Sequence, residues 1–163
     1  MKKLEADVLK ILEEDCRYPA AKIAVMLDKS EEEITLAIRG LEERGVIVKY
    51  TAIVNGETLS EEVVQALIEV KVTPQKGNGF DAIAEEIYRF EEVKSLYLMS
   101  GGYDFAVFIE GPSLRAVSRF VTERLSTIDG VLSTATHFIL KKYKIEGTVA
   151  DKSVESMRLS VQP

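Results

Sequence analysis

Apolar residues in the first part of the chain recur at three- and four-residue intervals, whereas beyond residue 64 the interval alternates between two and three-to-four. Leu4, Val8, Ile11 and Leu12 mark a first helical stripe. A second opens at Pro19, a residue favoured in a first helical turn, and uses Ile23, Ala24 and Leu27. Asp28 and Lys29 then form a tight turn. Ser30 followed by Glu33 is a capping box, in which the hydroxyl accepts from the Glu33 amide and the carboxylate accepts from the Ser30 amide. Ile34, Ile38 and Leu41 give that third helix one buried stripe, and Gly45 supplies a left-handed stop. The second and third helices therefore read as a helix-turn-helix.

After Gly45 the pattern becomes VIVKYTAIV, a β-rich run ending at the turn pair Asn55-Gly56, read as a wing or connecting strand. Residues 57–63 are polar and acidic without periodicity and are read as a linker between a domain at 1–56 and a second at 64–144. In the second, Ala66, Ile68, Val70 and Val72 alternate as a strand. Residues 74–79 form a break, and Phe80, Ile83, Ala84 and Ile87 switch to the helical period. Residues 93–99 and 103–110 read as strands joined at Gly101-Gly102, a pair suited to the positive φ angles of a hairpin turn. Pro112 and Ser113 open a helix through Leu114, Val117, Val121 and Leu125, and residues 131–140 close the series as a strand. The order βαββαβ predicts a ferredoxin-like sheet with both helices on one face, so the fold class is α+β.

The alternation also predicts apolar side chains on both faces of that sheet: Tyr103, Phe105, Val107 and Ile109 point one way and Ala106 and Phe108 the other, and Leu67 and either register of Val93 to Met99 agree. No third layer is available to cover the helix-free face, which implies self-association as a dimer or higher oligomer. Residues 145–163 read as a polar C-terminal tail.

Composition narrows the function classes. The chain has 163 residues, 46% apolar and 29% charged, which suits globular structure rather than disorder. No segment is apolar enough to span a bilayer or act as a signal core, so a cytoplasmic protein is expected. Cys16 and His137 are the single cysteine and histidine, leaving no disulfide and no metal site of the usual ligand spacing, and no cofactor is expected. The net charge is −6, and residues 1–55 hold nine Lys/Arg against eleven Asp/Glu. Glu31, Glu32, Thr35, Leu36, Arg39, Glu42 and Glu43 occupy the outer face of the third helix, which is acidic for a surface that would meet phosphate.

Several stretches in order carry a family likeness. In the first domain they are Asp15-Cys16-Arg17-Tyr18-Pro19, Ile23-Ala24, Ser30, Ile38-Arg39, Leu41-Glu42 and Gly45-Val46-Ile47 with Tyr50. In the second they are Ser100-Gly101-Gly102-Tyr103-Asp104, then Gly130-Val131 followed by Thr134 and Thr136. Over residues 3–144 the chain resembles the Lrp/AsnC (leucine-responsive/asparagine regulator) family of prokaryotic transcription factors. The resemblance implies a winged helix-turn-helix that binds double-stranded DNA, joined to a ferredoxin-like domain that senses a small effector, commonly an amino acid. It places Ser30, Thr35 and Arg39 toward the major groove, with Arg17, Lys22, Lys29 and Arg44 available for phosphates. It places the effector between subunits near Ser100, Gly101, Gly102, Tyr103, Asp104, Thr134 and Thr136. There the glycine amides suit a carboxylate, and Asp104 suits an ammonium group. A tight hairpin in which Asp104 serves its own turn explains the same residues. Gly102 stands where that family often has an acidic residue, which leaves the ligand class open.

Two rival readings remain. An oligomerisation partner with weak or no DNA binding accounts for the acidic helix. A siroheme-decarboxylase-like enzyme shares the two-domain layout but needs His and Arg residues around a large acidic macrocycle. His137 lies on a predicted strand, where a structural role outweighs a catalytic one. No nucleophile, base or phosphate-loop arrangement appears, so a non-enzyme is expected. Tyr97, Tyr103 and Phe108 at strand spacing read as sheet packing before a stacking site.

Overall fold

The computed structural model describes residues 2–55, 63–73 and 79–150. The chain divides into two compact units, Met1–Ala52 and Ile53–Pro163. The first holds α1 (Lys3–Glu14), α2 (Ala20–Leu27) and α3 (Glu31–Glu43). Their stripes converge on a core of Val8, Ile23, Ala24, Ile34 and Leu41, walled by Leu4, Ile11, Leu12, Leu27 and Ile38. Asp28 adopts φ 52° to end α2 within one residue. Gly45 follows α3 with φ 67°, and the amides of Gly45 and Val46 return to the carbonyls of Glu42 and Leu41, each at 2.9 Å.

The expected wing or connecting strand is not formed, because residues 46–55 contain neither helix nor strand. A strand needs a ladder partner, and none of the described residues pairs with this run. Val46, Val48, Tyr50, Ile53 and Val54 are consequently all exposed. The expected linker at 57–63 falls almost wholly outside the described residues.

The second unit builds a four-stranded sheet from β1 (Val64–Val72), β2 (Val93–Leu98), β3 (Phe105–Gly111) and β4 (Val131–Phe138), in the order β2-β3-β1-β4 with every pairing antiparallel. Helices α4 (Asp81–Tyr88) and α5 (Leu114–Glu123) cover one face. Ala66, Ile68, Val70, Phe105, Val107 and Ile109 from the sheet meet Ile83, Ile87, Val117, Phe120 and Val121 from the helices. Edge-to-face ring pairs join Phe80 to Phe105 and Phe90 to Phe120, with centroids 5.9 and 5.4 Å apart. Leu125 is buried, but in a 3-10 turn after α5 rather than in the helix. Gly130, at φ 92°, lets β4 start against α4: a β-carbon there would lie 3.0 Å from Ile83 Cδ1 and 3.2 Å from the Thr73 carbonyl oxygen.

Three expectations about this unit are corrected. The β2–β3 connection is a six-residue loop, 99–104, and neither Gly101 nor Gly102 has positive φ, so the two-residue hairpin turn is absent. The loop closes instead through the Met99 amide donating to the Asp104 carbonyl at 2.8 Å. The final strand stops at Phe138. Part of the expected tail is ordered as a small hairpin, β5 (Lys144–Ile145) and β6 (Thr148–Val149), turned by Glu146 and Gly147 at φ 43° and 82°. The Asn55 side-chain amide donates to the Ala150 carbonyl beyond it at 2.9 Å.

The helix-free face is less apolar than alternation alone suggested. Cross-strand partners share a face, so Leu67, Tyr97, Ala106, Phe108 and Ala135 lie on it, with Tyr97 edge-on to Phe108 at 6.0 Å. Glu69, Lys71, Ser133 and His137 share that face, and His137 Nε2 lies 3.3 Å from Glu69 Oε1. The face is an apolar strip bordered by polar side chains, because β1 places Glu69 and Lys71 after Leu67 in the same alternation.

Candidate functional site

The helix-turn-helix is braced by charge as well as by its core. Glu5 is 8% exposed yet charged, and it sits between the Lys2 amide at 3.1 Å and Arg44 Nη2 at 3.1 Å. Those two partners, the amide foremost, hold its carboxyl below the ordinary range against the opposing effect of burial. Arg44, expected at phosphate, is thus tied to the start of α1. Arg17 is tied likewise: its guanidinium donates to both oxygens of Asp15, at 2.8 and 2.7 Å, and holds that carboxyl down to about 2. The Lys22 ammonium lies over the Tyr18 ring, 3.9 Å from its centroid.

The hydroxyls expected at the groove are also engaged. Ser30 Oγ accepts from the Glu33 amide at 3.2 Å and donates to the Glu33 carboxylate at 3.1 Å, and Thr35 Oγ1 donates to the Glu31 carbonyl at 2.8 Å. Glu42 is occupied by the Tyr50 hydroxyl at 2.9 Å. Of the seven expected DNA-facing residues, Lys29 and Arg39 alone have side chains with no hydrogen bond, ion pair or ring contact among the described residues. Arg39 is exposed on the outer face of α3. Periodicity exposed that face but did not identify the partners: Asp15 two residues before Arg17, and Glu5 and Tyr50 from other segments for Arg44 and Glu42.

In the second unit the expected ligand residues gather at one end of the sheet without closing a cavity. The Asp104 amide donates to the Val70 carbonyl at 3.0 Å, and its Oδ2 accepts from the Val72 amide at 2.8 Å, next to the irregularity between Lys71 and Val72. The Asp104 side chain therefore fastens the 99–104 loop to β1, while its backbone carbonyl closes the loop itself. Thr134 pairs with Val70 from the other side of β1, and its hydroxyl lies 3.4 Å from Ser126 Oγ. Thr136 is two residues further in, opposite Ile68. Both threonines stand on the helix-covered side of the sheet, and Thr134 is separated from Asp104 by roughly 10 Å, two inter-strand spacings. Ser100, Gly101 and Gly102 are exposed, while Tyr103 is half-buried. A shallow groove of about 410 Å³ lies elsewhere, between α4 and the edge strand β2, with Phe80, Phe105, Leu96 and Leu98 in its lining and none of the expected ligand residues.

Comparison with known proteins decides the family. The family described as the Lrp/AsnC ligand binding domain matches residues 65–149, more than half of the chain. The chain belongs to the Lrp/AsnC family. The HTH-type transcriptional regulator YugG of Bacillus subtilis is 47% identical over 160 residues, covering 98% of this chain and 96% of its own. The HTH-type transcriptional regulator LrpA of Pyrococcus horikoshii is 31% identical over 137 residues, covering 84% and 94%. Among solved structures, the Neisseria meningitidis transcriptional regulator NMB0573 in complex with L-Met superposes with a TM-score of 0.70 at 23% identity, covering 89% of this chain and 93% of its own. Escherichia coli AsnC gives 0.68 at 20% identity, covering 89% and 95%. As an Lrp/AsnC protein the chain is a DNA-binding transcriptional regulator. Among the described residues no helix is long and apolar enough to cross a membrane, and no group of His, Cys, Asp and Glu is arranged to hold a metal ion.

Proposed function

We propose that the chain binds operator DNA as a dimer through α3, and that an amino acid held near the 99–104 loop modulates that binding. The observation that carries the first part is the exposed Arg39 on the outer face of a capped helix-turn-helix helix, its side chain without a partner among the described residues while Arg17, Lys22 and Arg44 already have theirs. Selection of genomic fragments by the purified protein tests it. Enrichment of fragments sharing one motif is expected, and recovery of random fragments alone overturns it.

The effector reading draws on the chemistry of residues 100–104 and on the L-Met complex of the Neisseria regulator. Asp104 commits one carboxylate oxygen to Val72 and leaves the other for an ammonium group, while the exposed glycine amides suit a carboxylate. Because the expected contacts are spread across β1 within one chain, a second subunit is needed to close the site. The apolar strip of Leu67, Tyr97 and Phe108 is the surface proposed for that self-association. Exposed Val46, Val48, Ile53 and Val54 add apolar area that a dimer can cover. With relatives named as transcriptional regulators, the chain is assigned a regulatory role.

A further inference from the structure

The face of α3 directly opposite its buried stripe carries Glu32, Leu36, Arg39 and Glu43. At 100° per residue these four lie within roughly 60° of one another and half a turn from Ile34 and Leu41. Leu36 is 59% exposed, and the side chains of Glu32, Arg39 and Glu43 have no partner among the described residues. A quarter turn away, Thr35 is bonded to Glu31 and Glu42 to Tyr50. The stripe is therefore the free chemistry of the helix: a carboxylate, an apolar side chain one turn on, and a guanidinium in the turn after that.

We propose that Glu32 and Leu36 set the base preference of this regulator together with Arg39, Glu32 accepting from the exocyclic amine of a cytosine, Leu36 packing on a thymine methyl and Arg39 donating to a guanine. This rests on α3 entering the major groove. In that groove cytosine presents an N4 donor and thymine a methyl group, whereas guanine presents only acceptors, which repel a carboxylate. Four residues of helix rise about 6 Å, so Glu32 and Leu36 reach bases within about two steps of each other. The same carboxylate is repelled by phosphates, which weakens binding to unrelated DNA and widens discrimination. The acidity of α3, unfavourable for general affinity, is in this account the source of its selectivity.

Selection from randomised duplexes, with the full chain and the variants Glu32→Gln, Leu36→Ala and Glu31→Gln, tests the assignment. The native protein should enrich a motif with cytosine and thymine at neighbouring positions. Glu32→Gln should shift the cytosine toward adenine, whose N6 and N7 an amide can satisfy together, and Leu36→Ala should relax the thymine, each by about tenfold. Glu31→Gln removes the same charge 100° around the helix; it should strengthen binding to all duplexes and leave the motif unchanged. If the motif survives Glu32→Gln and Leu36→Ala while Arg39→Ala abolishes enrichment, this inference fails and α3 still binds DNA. If the native protein enriches nothing, both fail. Unchanged circular-dichroism melts for the exposed-site variants separate either result from misfolding.

Discussion

Arg39 and Arg44 lie five residues apart, and their surroundings give them opposite roles. Arg44 spends its charge on a nearly buried Glu5, whereas Arg39 has no such partner. Arg39→Ala should weaken binding to a selected fragment by about 1–3 kcal/mol, measured by fluorescence anisotropy. Lys22→Ala should cost less and act mainly by lowering the salt slope by about one. The carboxylates of this unit also predict its response to acid. Hydrogen bonds from Arg17 hold Asp15 down to about 2, and Glu5 and Glu33 are lowered by the Lys2 and Ser30 amides respectively. A carboxylate with a depressed folded value adds stability above its unfolded value, and that stability is lost as pH falls through the folded one. The helix-turn-helix should therefore melt at lower temperature as pH falls from the ordinary carboxylate range toward about 2. Glu5→Gln should melt lower than the native chain at pH 7 and show a smaller fall on acidification. Melting curves at the two pH values check both statements.

At the scale of elements, what was legible depended on whether a segment finds its partners nearby in the chain. Helices α1 to α3 were readable because their stripes, the Ser30–Glu33 box and the Gly45 stop are local signals. Residues 46–54 have an equally clear β composition, yet composition cannot supply a partner strand, and none forms within the described residues. The 99–104 loop was misread for a related reason. A glycine pair suggests a tight turn, but the loop is shaped by Asp104 bonding across to Val72, 32 residues away in sequence. The same distant contact hid the structural part of the Asp104 role, and only a register could place Thr134 and Thr136 on the helix-covered face. Asp104→Asn keeps an oxygen for the Val72 amide and removes the charge. It should weaken an ammonium-bearing effector by about 1–3 kcal/mol, the scale of a lost charge-assisted hydrogen bond, with little change in melting temperature. Calorimetry against the twenty amino acids, repeated on the variant, reads this directly. Absence of heat with every amino acid would leave the loop as a connection alone.

For the whole molecule, two units have separate cores, and in the proposed account one carries the DNA-reading helix and the other the effector and the surface for self-association. Phe108→Glu would set a carboxylate into the apolar strip beside Tyr97, at a cost of several kcal/mol if buried without a partner. Light scattering should show the native chain as a dimer or larger at micromolar concentration and the variant shifted toward monomer; a native monomer would contradict the proposed face. The central claim is that α3 recognises a particular DNA sequence despite its acidic surface. The most direct measurement is titration of a genome-selected duplex and a scrambled duplex of the same length and composition with the native protein and Arg39→Ala. The account predicts that the native protein prefers the selected duplex by at least about 10³-fold and that Arg39→Ala loses much of this preference. Equal affinity for both duplexes, or a preference that Arg39→Ala leaves intact, would contradict it.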